Sequence, residues 1–360
     1  MPPTRIEVAA SAGSYPIVIG SATLATLPQL LDDAGLGPRR VIVSSPTVWE
    51  FHGDAVKGAA SEAEPILVPD GERHKNITTV GRVYDALIQI GADRSVVIIA
   101  VGGGVIGDLV GFAAATYLRG VRVVHVPTTL MAQVDSAVGG KTGVNHALGK
   151  NLIGAFHPPR LVVADPAVLA TLPRREFRAG LYEVVKYGVI ASPSLLDRVE
   201  ASLPQLFKRD PDATVAVVAE SCQIKARVVS ADEHESGLRR TLNFGHTIGH
   251  AIEAVTKYKR FRHGEAVGYG MLAAMALGED YGVTPAAARQ RLDAVIAKLG
   301  PLPPVVDLSA SEVLAAIGRD KKIVAGTLHF VAATAIGATT TVSDVTEKHL
   351  RRALKAIGIQ

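Results

Sequence analysis

His246 and His250 stand four apart in NFGHTIGHA (243–251), and His263 follows in FRHGEAV. Residues four apart lie on one face of a helix. The pair could therefore hold one metal ion between them, or one ring could bind metal while the other meets a substrate. Glu183 and Lys186 stand three apart in LYEVVKYG, which taken alone reads as a surface ion pair. Glu265 follows His263 by two. Three histidines and a carboxylate within one helical stretch suit a mononuclear metal site. Nitrogen and oxygen donors without cysteine suit zinc, or cobalt in its place. Lys225 interrupts the helical apolar stripe Val215, Val218, Cys222, Val229. A lysine there either extends to solvent or meets a buried anion. Arg239 and Asn243 add polar groups, as do Lys321 and Lys322 further on.

Two glycine-rich stretches point to anions. In AVGGGVIGD (100–108), Gly102, Gly104 and Gly107 satisfy GxGxxG between an apolar run and a helix. Glycine lets a pyrophosphate approach the backbone, and the helix N-terminus stabilises its charge. The plain alternative is a tight strand–helix turn. The motif follows the fourth or fifth strand rather than the first, and Asp108 comes directly after it, so this is not the ordinary dinucleotide arrangement. VDSAVGGKTGVNHALGKN (134–151) is no P-loop, because Asp135 stands where glycine is required six residues before Lys141. It reads as a loop in which Asp135, Lys141, Lys150 and Asn151 could hold phosphate or carboxylate groups.

Apolar, β-branched runs at 39–45, 65–69, 95–101 and 121–127, with RIEVAA and YPIVIG before them, alternate with helix-length segments near 22–34, 47–60, 76–91 and 105–118. That alternation means a parallel sheet covered on both faces. Beyond about residue 170, segments 174–190, 212–230, 244–257, 264–281, 285–298 and 345–357 read as helices, with a local hairpin near 327–343. The expected fold is α/β plus α: a Rossmann-like parallel-sheet domain over 1–170 and a mostly helical domain over 171–360. A cleft between two such domains is where a ligand is expected.

At 360 residues, 48% of them hydrophobic, the chain can bury two cores. Its net charge of +4 is too mild to imply nucleic acid, and suits an anionic small molecule. Cys222 is the single cysteine, which excludes an internal disulfide and a thiolate cluster and fits a cytoplasmic protein. The N-terminus lacks the shape of a signal peptide. The longest apolar stretch, 96–118, is broken by glycines and Asp108, so no membrane span is expected.

Together these motifs resemble the 3-dehydroquinate synthases, a family of sugar phosphate cyclases. The resemblance covers nearly the whole chain: PDGERHK (69–75), GGGVIGD, VPTTLMAQVDSAVGGKTGVN, GKNLIGAFHPP, GLYEVVKYG, LNFGHTIGHA, RHGEAV and RDKK stand in the family's order. It implies zinc on Glu183, His246 and His263. It implies NAD on Asp70, Gly71, Glu72, Arg73, His74, Lys75, Gly103, Gly104, Val105, Ile106, Gly107, Asp108, Thr128, Thr129, Lys141, Lys150 and the VLAT stretch Val168, Leu169, Ala170, Thr171. Substrate contacts are implied for Asp135, Lys141, Asn151, Lys186, Lys225, Arg239, Asn243, His250 and one lysine of the 321–322 pair. Arg119 would reach the partner's site in a homodimer. Two departures stand out: Ser45 where an acidic residue often meets the ribose, and Val168 where phenylalanine is frequent.

The implied reaction converts 3-deoxy-D-arabino-heptulosonate 7-phosphate to 3-dehydroquinate and phosphate in the shikimate pathway. It runs through transient oxidation by NAD, phosphate elimination, re-reduction and intramolecular aldol closure. Arg239 and Lys225 suit the substrate carboxylate, since a guanidinium fork binds two oxygens. A cyclase for a neutral sugar phosphate would leave those two cations unpaired. For a metal-dependent polyol dehydrogenase, the set Lys141, Asn151, Lys186 and Lys225 is surplus.

Overall fold

The computed structural model describes residues 2–61, 64–235, 237–318, 323–324 and 327–360; Lys321 and Lys322 lie outside the described residues. In chain order come β1 (Thr4–Val8), β2 (Tyr15–Ile19), α1 (Leu27–Asp33), β3 (Arg40–Ser44), α2 (Pro46–Val56), β4 (Ile66–Leu67), α3 (Ile77–Gln89), β5 (Val97–Gly102), α4 (Gly104–Thr116), β6 (Arg122–Pro127), β7 (Lys141–His146), β8 (Gly149–Phe156) and β9 (Leu161–Ala164). There follow α5 (Arg174–Ala191), α6 (Pro193–Phe207), α7 (Pro211–Ala231), α8 (His246–Val255), α9 (His263–Asp280), α10 (Ala286–Leu299), α11 (Ala310–Ile317), β10 (Ile323–Val324), β11 (Thr327–Leu328), β12 (Phe330–Ala335), β13 (Ala338–Val342) and α12 (Glu347–Ala356).

The chain forms two compact units. One is Met1–Pro173 with Lys208–Glu233, the other Arg174–Phe207 with His234–Gln360. The segment that carries α7, expected with the helical half, instead belongs to the sheet unit. There α7 packs against β1, β2 and the π-helical turn Ala132–Ser136.

The first unit is built on a seven-stranded sheet in the order β1-β2-β9-β6-β5-β3-β4. Only β1 pairs antiparallel; every other neighbour is parallel. Every residue of β2, β3, β5 and β9 is buried, as a sheet covered on both faces requires. Strand order reverses between β3 and β5. In parallel sheets the crevice beyond the carboxyl ends at such a reversal is where ligands bind. The glycine motif leaves the end of β5, the fifth strand, so the fold puts it at that crevice.

The stretch expected as a loop near 141–151 is instead an antiparallel hairpin, with Lys141 opposite Phe156 and Val144 opposite Ile153. Glycines hid it, because they are poor strand formers. Gly143 is required here: a Cβ would meet the Ile153 carbonyl oxygen at 2.6 Å. Strand β9 was also unassigned, being four residues long and too short to show a period.

In the second unit α8 packs on α9; α5, α10 and α12 also lie against α9, and α11 lies against α8. The hairpin expected near 327–343 is β12–β13, with Phe330 opposite Val342. Helices α6 and α11 and the short strand β10 have no counterpart among the expected segments.

Candidate active site

Three helices of the second unit bring the metal candidates together. Glu183 lies on α5, His246 in the first turn of α8, and His263 in the first turn of α9. Glycines permit the close packing. A Cβ on Gly264 would stand 1.9 Å from the Ala179 carbonyl oxygen, one turn before Glu183. One on Gly270 would stand 1.8 Å from the Gly245 carbonyl oxygen, just before His246. Neither backbone oxygen can swing aside, so glycine is needed at both positions.

Glu183 Oε1 lies 3.7 Å from His246 Nε2 and 3.6 Å from His263 Nε2. Two donors on one tetrahedral zinc stand about 3.4 Å apart, so this separation fits a shared cation. The other carboxylate oxygen, Oε2, is held by Lys186. Glu183 and Lys186 are buried, so the surface ion pair that their spacing alone suggested is an interior one. Both histidines have their second nitrogen engaged: His246 Nδ1 with the Phe244 carbonyl oxygen at 3.1 Å, and His263 Nδ1 with Glu253 Oε2 at 3.0 Å. Each contact turns Nε2 toward Glu183, as metal-binding imidazoles are commonly held.

His250 completes a cluster in which the ring nitrogens of all three histidines fall within 4.8 Å of one another. Its ring centroid is 5.3 Å from that of His246 and 5.8 Å from that of His263. Distance alone thus admits a three-histidine site; the anchored Nδ1 atoms and Glu183 favour the Glu–His–His set. Glu265 serves a different purpose. It is fully buried, pairs with Arg175 at 2.7 Å through both carboxylate oxygens, and accepts from the Arg262 N–H at the start of α9. Burial works against its charge, but Arg175 and the Arg262 N–H outweigh it and hold the carboxyl below the usual range.

Burial also works against a charged His263, but Glu253 and Glu183 outweigh it and push the imidazole up to about 10. The pocket therefore favours a cation, either that proton or a metal ion. In the metal-free protein this raised group contributes stability that is fully present below pH 6.5 and lost as pH rises through about 10. A zinc ion bound through His263 would have to displace the same proton. Titration near pH 7.5 in buffers of different ionisation enthalpy is expected to show about one proton released per zinc, with affinity rising about tenfold per pH unit. Release of no proton would mean that His263 is not a ligand.

The first unit holds the anion candidates. Gly103 is the N-cap of α4 and gives no side-chain cap, which leaves the first-turn N–H groups for an external anion. Gly104 lies close under Ser136: a Cβ there would meet Ser136 Oγ at 2.9 Å. Thr128 N–H donates to the Gly102 carbonyl oxygen, and Thr129 Oγ1 accepts from Ala132 N–H at 3.1 Å. Lys75 is buried and donates to Asp108 at 2.5 Å and Asn151 at 2.6 Å. Burial pushes the Asp108 carboxyl up even though Lys75 opposes it. Asn145 bonds Glu72, and Lys150 stands 3.8 Å from the same carboxylate. The buried lysine of α7 meets an anion, as one reading of its stripe required: Lys225 Nζ donates to Asp135 Oδ1 at 2.5 Å and to the Asp135 carbonyl oxygen at 2.7 Å. Asp135 sits in the π-helical turn, a distortion frequent at functional sites.

The remaining candidates lie in both units. Asp70, Gly71 and Arg73 are exposed, while Glu72 and His74 are half-buried. Val105 and Ile106 lie in the first turn of α4, with Ile106 and the nearby Gly107 facing the sheet side. Val168 and Leu169 are buried, Ala170 and Thr171 exposed. Lys141 is exposed at the start of β7, and Arg119 is exposed with a left-handed backbone after α4. In the second unit Arg239 is buried, and Asn243 donates to Glu235 at 2.6 Å. Ser45 caps α2 by accepting from Val48 N–H at 3.4 Å. Cys222 is buried, and burial pushes its thiol up to about 12, which disfavours the thiolate. Glu253 is a further member of this site that is not among the candidates named from the sequence. Its signal was available: it stands seven after His246 and three after His250, a carboxylate on the same helix face.

Family models describe both halves of the chain: 3-dehydroquinate synthase N-terminal matches residues 65–179, and 3-dehydroquinate synthase C-terminal matches 180–323. A 3-dehydroquinate synthase of Nostoc punctiforme is 47% identical over 353 residues, covering 96% of this chain and 97% of the relative. Among solved structures, a 2-epi-5-epi-valiolone synthase from Streptomyces hygroscopicus subsp. jinggangensis with NAD+ and Zn2+ bound is 31% identical. Its TM-score is 0.87, with 97% of this chain and 98% of that one covered. A 2-deoxy-scyllo-inosose synthase complexed with carbaglucose-6-phosphate, NAD+ and Co2+ shares the fold at a TM-score of 0.87 and 24% identity, covering 99% of each chain.

Proposed function

The chain belongs to the 3-dehydroquinate synthase family, and we propose that it converts 3-deoxy-D-arabino-heptulosonate 7-phosphate to 3-dehydroquinate and phosphate, with NAD and a zinc or cobalt ion as cofactors. The observation that carries this is the Glu183–His246–His263 set, with both rings anchored so that Nε2 faces the carboxylate. When bound, the metal supplies Lewis acidity toward substrate hydroxyls, and NAD accepts and returns one hydride.

The chain's own residues bind, orient and move protons. Glu183, His246 and His263 hold the metal, and Lys186 steadies Glu183 through its second oxygen. His250 faces the substrate and exchanges a proton with it near neutral pH. Arg239 and Asn243 meet the substrate, the guanidinium at its carboxylate. The α4 N-terminus from Gly103 to Asp108 receives the nucleotide pyrophosphate, with Thr128 and Thr129 beside it. Asp70 to Lys75, Lys150 and Val168 to Thr171 complete the nucleotide contacts, and Lys141 serves both ligands. Lys75 holds Asp108 and Asn151 in place, and the Lys225–Asp135 pair acts as a unit on the substrate.

The protein acts as a homodimer in the cytoplasm in this reading, with Arg119 reaching the partner's site. Support for the dimer comes from Leu118 next to Arg119 and from Leu148, Leu152 and Phe156 on the β7–β8 hairpin, all exposed. The one cysteine of the sequence, Cys222, is free, which fits a reducing compartment. Among the described residues no helix is long and apolar enough to cross a membrane.

The test supplies the heptulosonate phosphate and NAD and follows phosphate and absorbance together. One phosphate per substrate with no net NADH is expected. Stoichiometric NADH would mean a polyol dehydrogenase, and turnover only of a neutral sugar phosphate would mean a different cyclase.

A further inference from the structure

An imidazole has two nitrogens, and only the one without a proton can give its lone pair to a cation. Which one that is depends on what the other nitrogen meets. His263 Nδ1 lies 3.0 Å from Glu253 Oε2, and its Nε2 lies 3.6 Å from Glu183 Oε1. An ionised carboxylate only accepts, so Nδ1 is the donor in its contact and Nε2 is the nitrogen left for a metal. His246 is turned the same way by the Phe244 carbonyl oxygen. One ring is thus anchored by backbone, the other by a side chain that substitution can remove.

We propose that Glu253 is a positioning residue that fixes the tautomer and rotation of His263, so that Nε2 completes the metal site with His246 and Glu183. This rests on the metal reading above. Glu253 is 3% exposed, and a carboxylate so deeply buried is costly unless it is paired. It also shares the α8 face that carries His246 and His250, one turn further on. A carboxylate behind a ligand ring raises the basicity of the ring as well as orienting it.

The experiment measures Zn2+ affinity by chelator competition for the wild type, Glu253→Ala, Glu253→Gln and His263→Ala, with folding followed by circular dichroism. Nitrogen NMR of the zinc-loaded wild type reads the His263 tautomer directly. Glu253→Ala is expected to weaken zinc binding about 10–100-fold. Glu253→Gln, which keeps an acceptor oxygen without the charge, is expected to recover most of that loss. The NMR is expected to show a proton on Nδ1 and metal on Nε2. Wild-type affinity in Glu253→Ala, a glutamine variant as weak as the alanine one, or a proton on Nε2 would each overturn the proposal. If Glu253→Ala does not fold, the glutamine variant and the NMR still decide. Wild-type zinc affinity in His263→Ala would remove the metal reading itself, and this inference with it. Loss in His263→Ala with none in Glu253→Ala would remove only the role of Glu253.

Discussion

His250→Ala is expected to keep its zinc and lose most of its turnover, whereas His246→Ala should lose both. The two rings are one helical turn apart on α8, with centroids 5.3 Å apart. That spacing lets one ring reach a metal ion and the next reach a substrate oxygen beside it. His246 has the geometry of a ligand, with Nδ1 on a backbone carbonyl and Nε2 3.7 Å from Glu183. In the proposed Glu183–His246–His263 site, removing it takes away one of three protein donors. Removing His250 would, on the proposed role, take away a group that donates a hydrogen bond or shuttles a proton to the substrate, worth roughly 10²–10⁴-fold in rate. Elemental analysis after dialysis, paired with phosphate-release rates, separates the two effects. If His250→Ala comes out metal-free while His263→Ala stays loaded, His250 is a ligand and His263 is not, and the Glu183–His246–His263 assignment is wrong.

Gly264→Ala is expected to damage the metal site without removing any donor. The added Cβ would stand 1.9 Å from the Ala179 carbonyl oxygen, well inside contact distance. Helix α9 would have to move away from α5, and that moves His263 relative to Glu183. Overpacking of this kind costs about 1–3 kcal/mol and occasionally more. A helix backbone cannot yield as a side chain does, so the upper end is expected. Gly81→Ala is the control. No atom lies within 4 Å of the added Cβ, and the position is inside α3. There alanine should be neutral or stabilise by up to about 1 kcal/mol. Thermal melting and zinc content are the readouts. A Gly264→Ala protein that melts with the wild type and holds full zinc would show that the backbone approach of α5 and α9 is not what sets the site.

The second unit shows why some of the site was legible and some was not. His246, His250 and Glu253 share one helix, so their common face follows from spacing alone. The bond from Glu253 to His263 does not follow, because it depends on how the chain turns between α8 and α9. Lys225 was recognisable as out of place in an apolar stripe, since helical period is local. Its partner Asp135 lies 90 residues away, on a π-helical turn that has no sequence period of its own. Glu265 shows the reverse case. Beside a histidine it resembled a ligand, but tertiary packing sets it against Arg175 and Arg178.

The sequence by itself determined the alternation that makes a parallel sheet, the helical second half, the glycine motif after an apolar strand, and the residue types of a nitrogen–oxygen metal site. These are local properties: side-chain chemistry and a period of two or 3.6 residues need no knowledge of distant chain. Only the tertiary structure decided that α7 belongs with the sheet, that 141–156 is a hairpin, and that Glu183 meets His246 and His263 through Nε2. It also decided which buried charge answers which. Such pairings are fixed by helix crossings and backbone approaches at Gly264 and Gly270, where the absence of a side chain, rather than the presence of one, sets the distance.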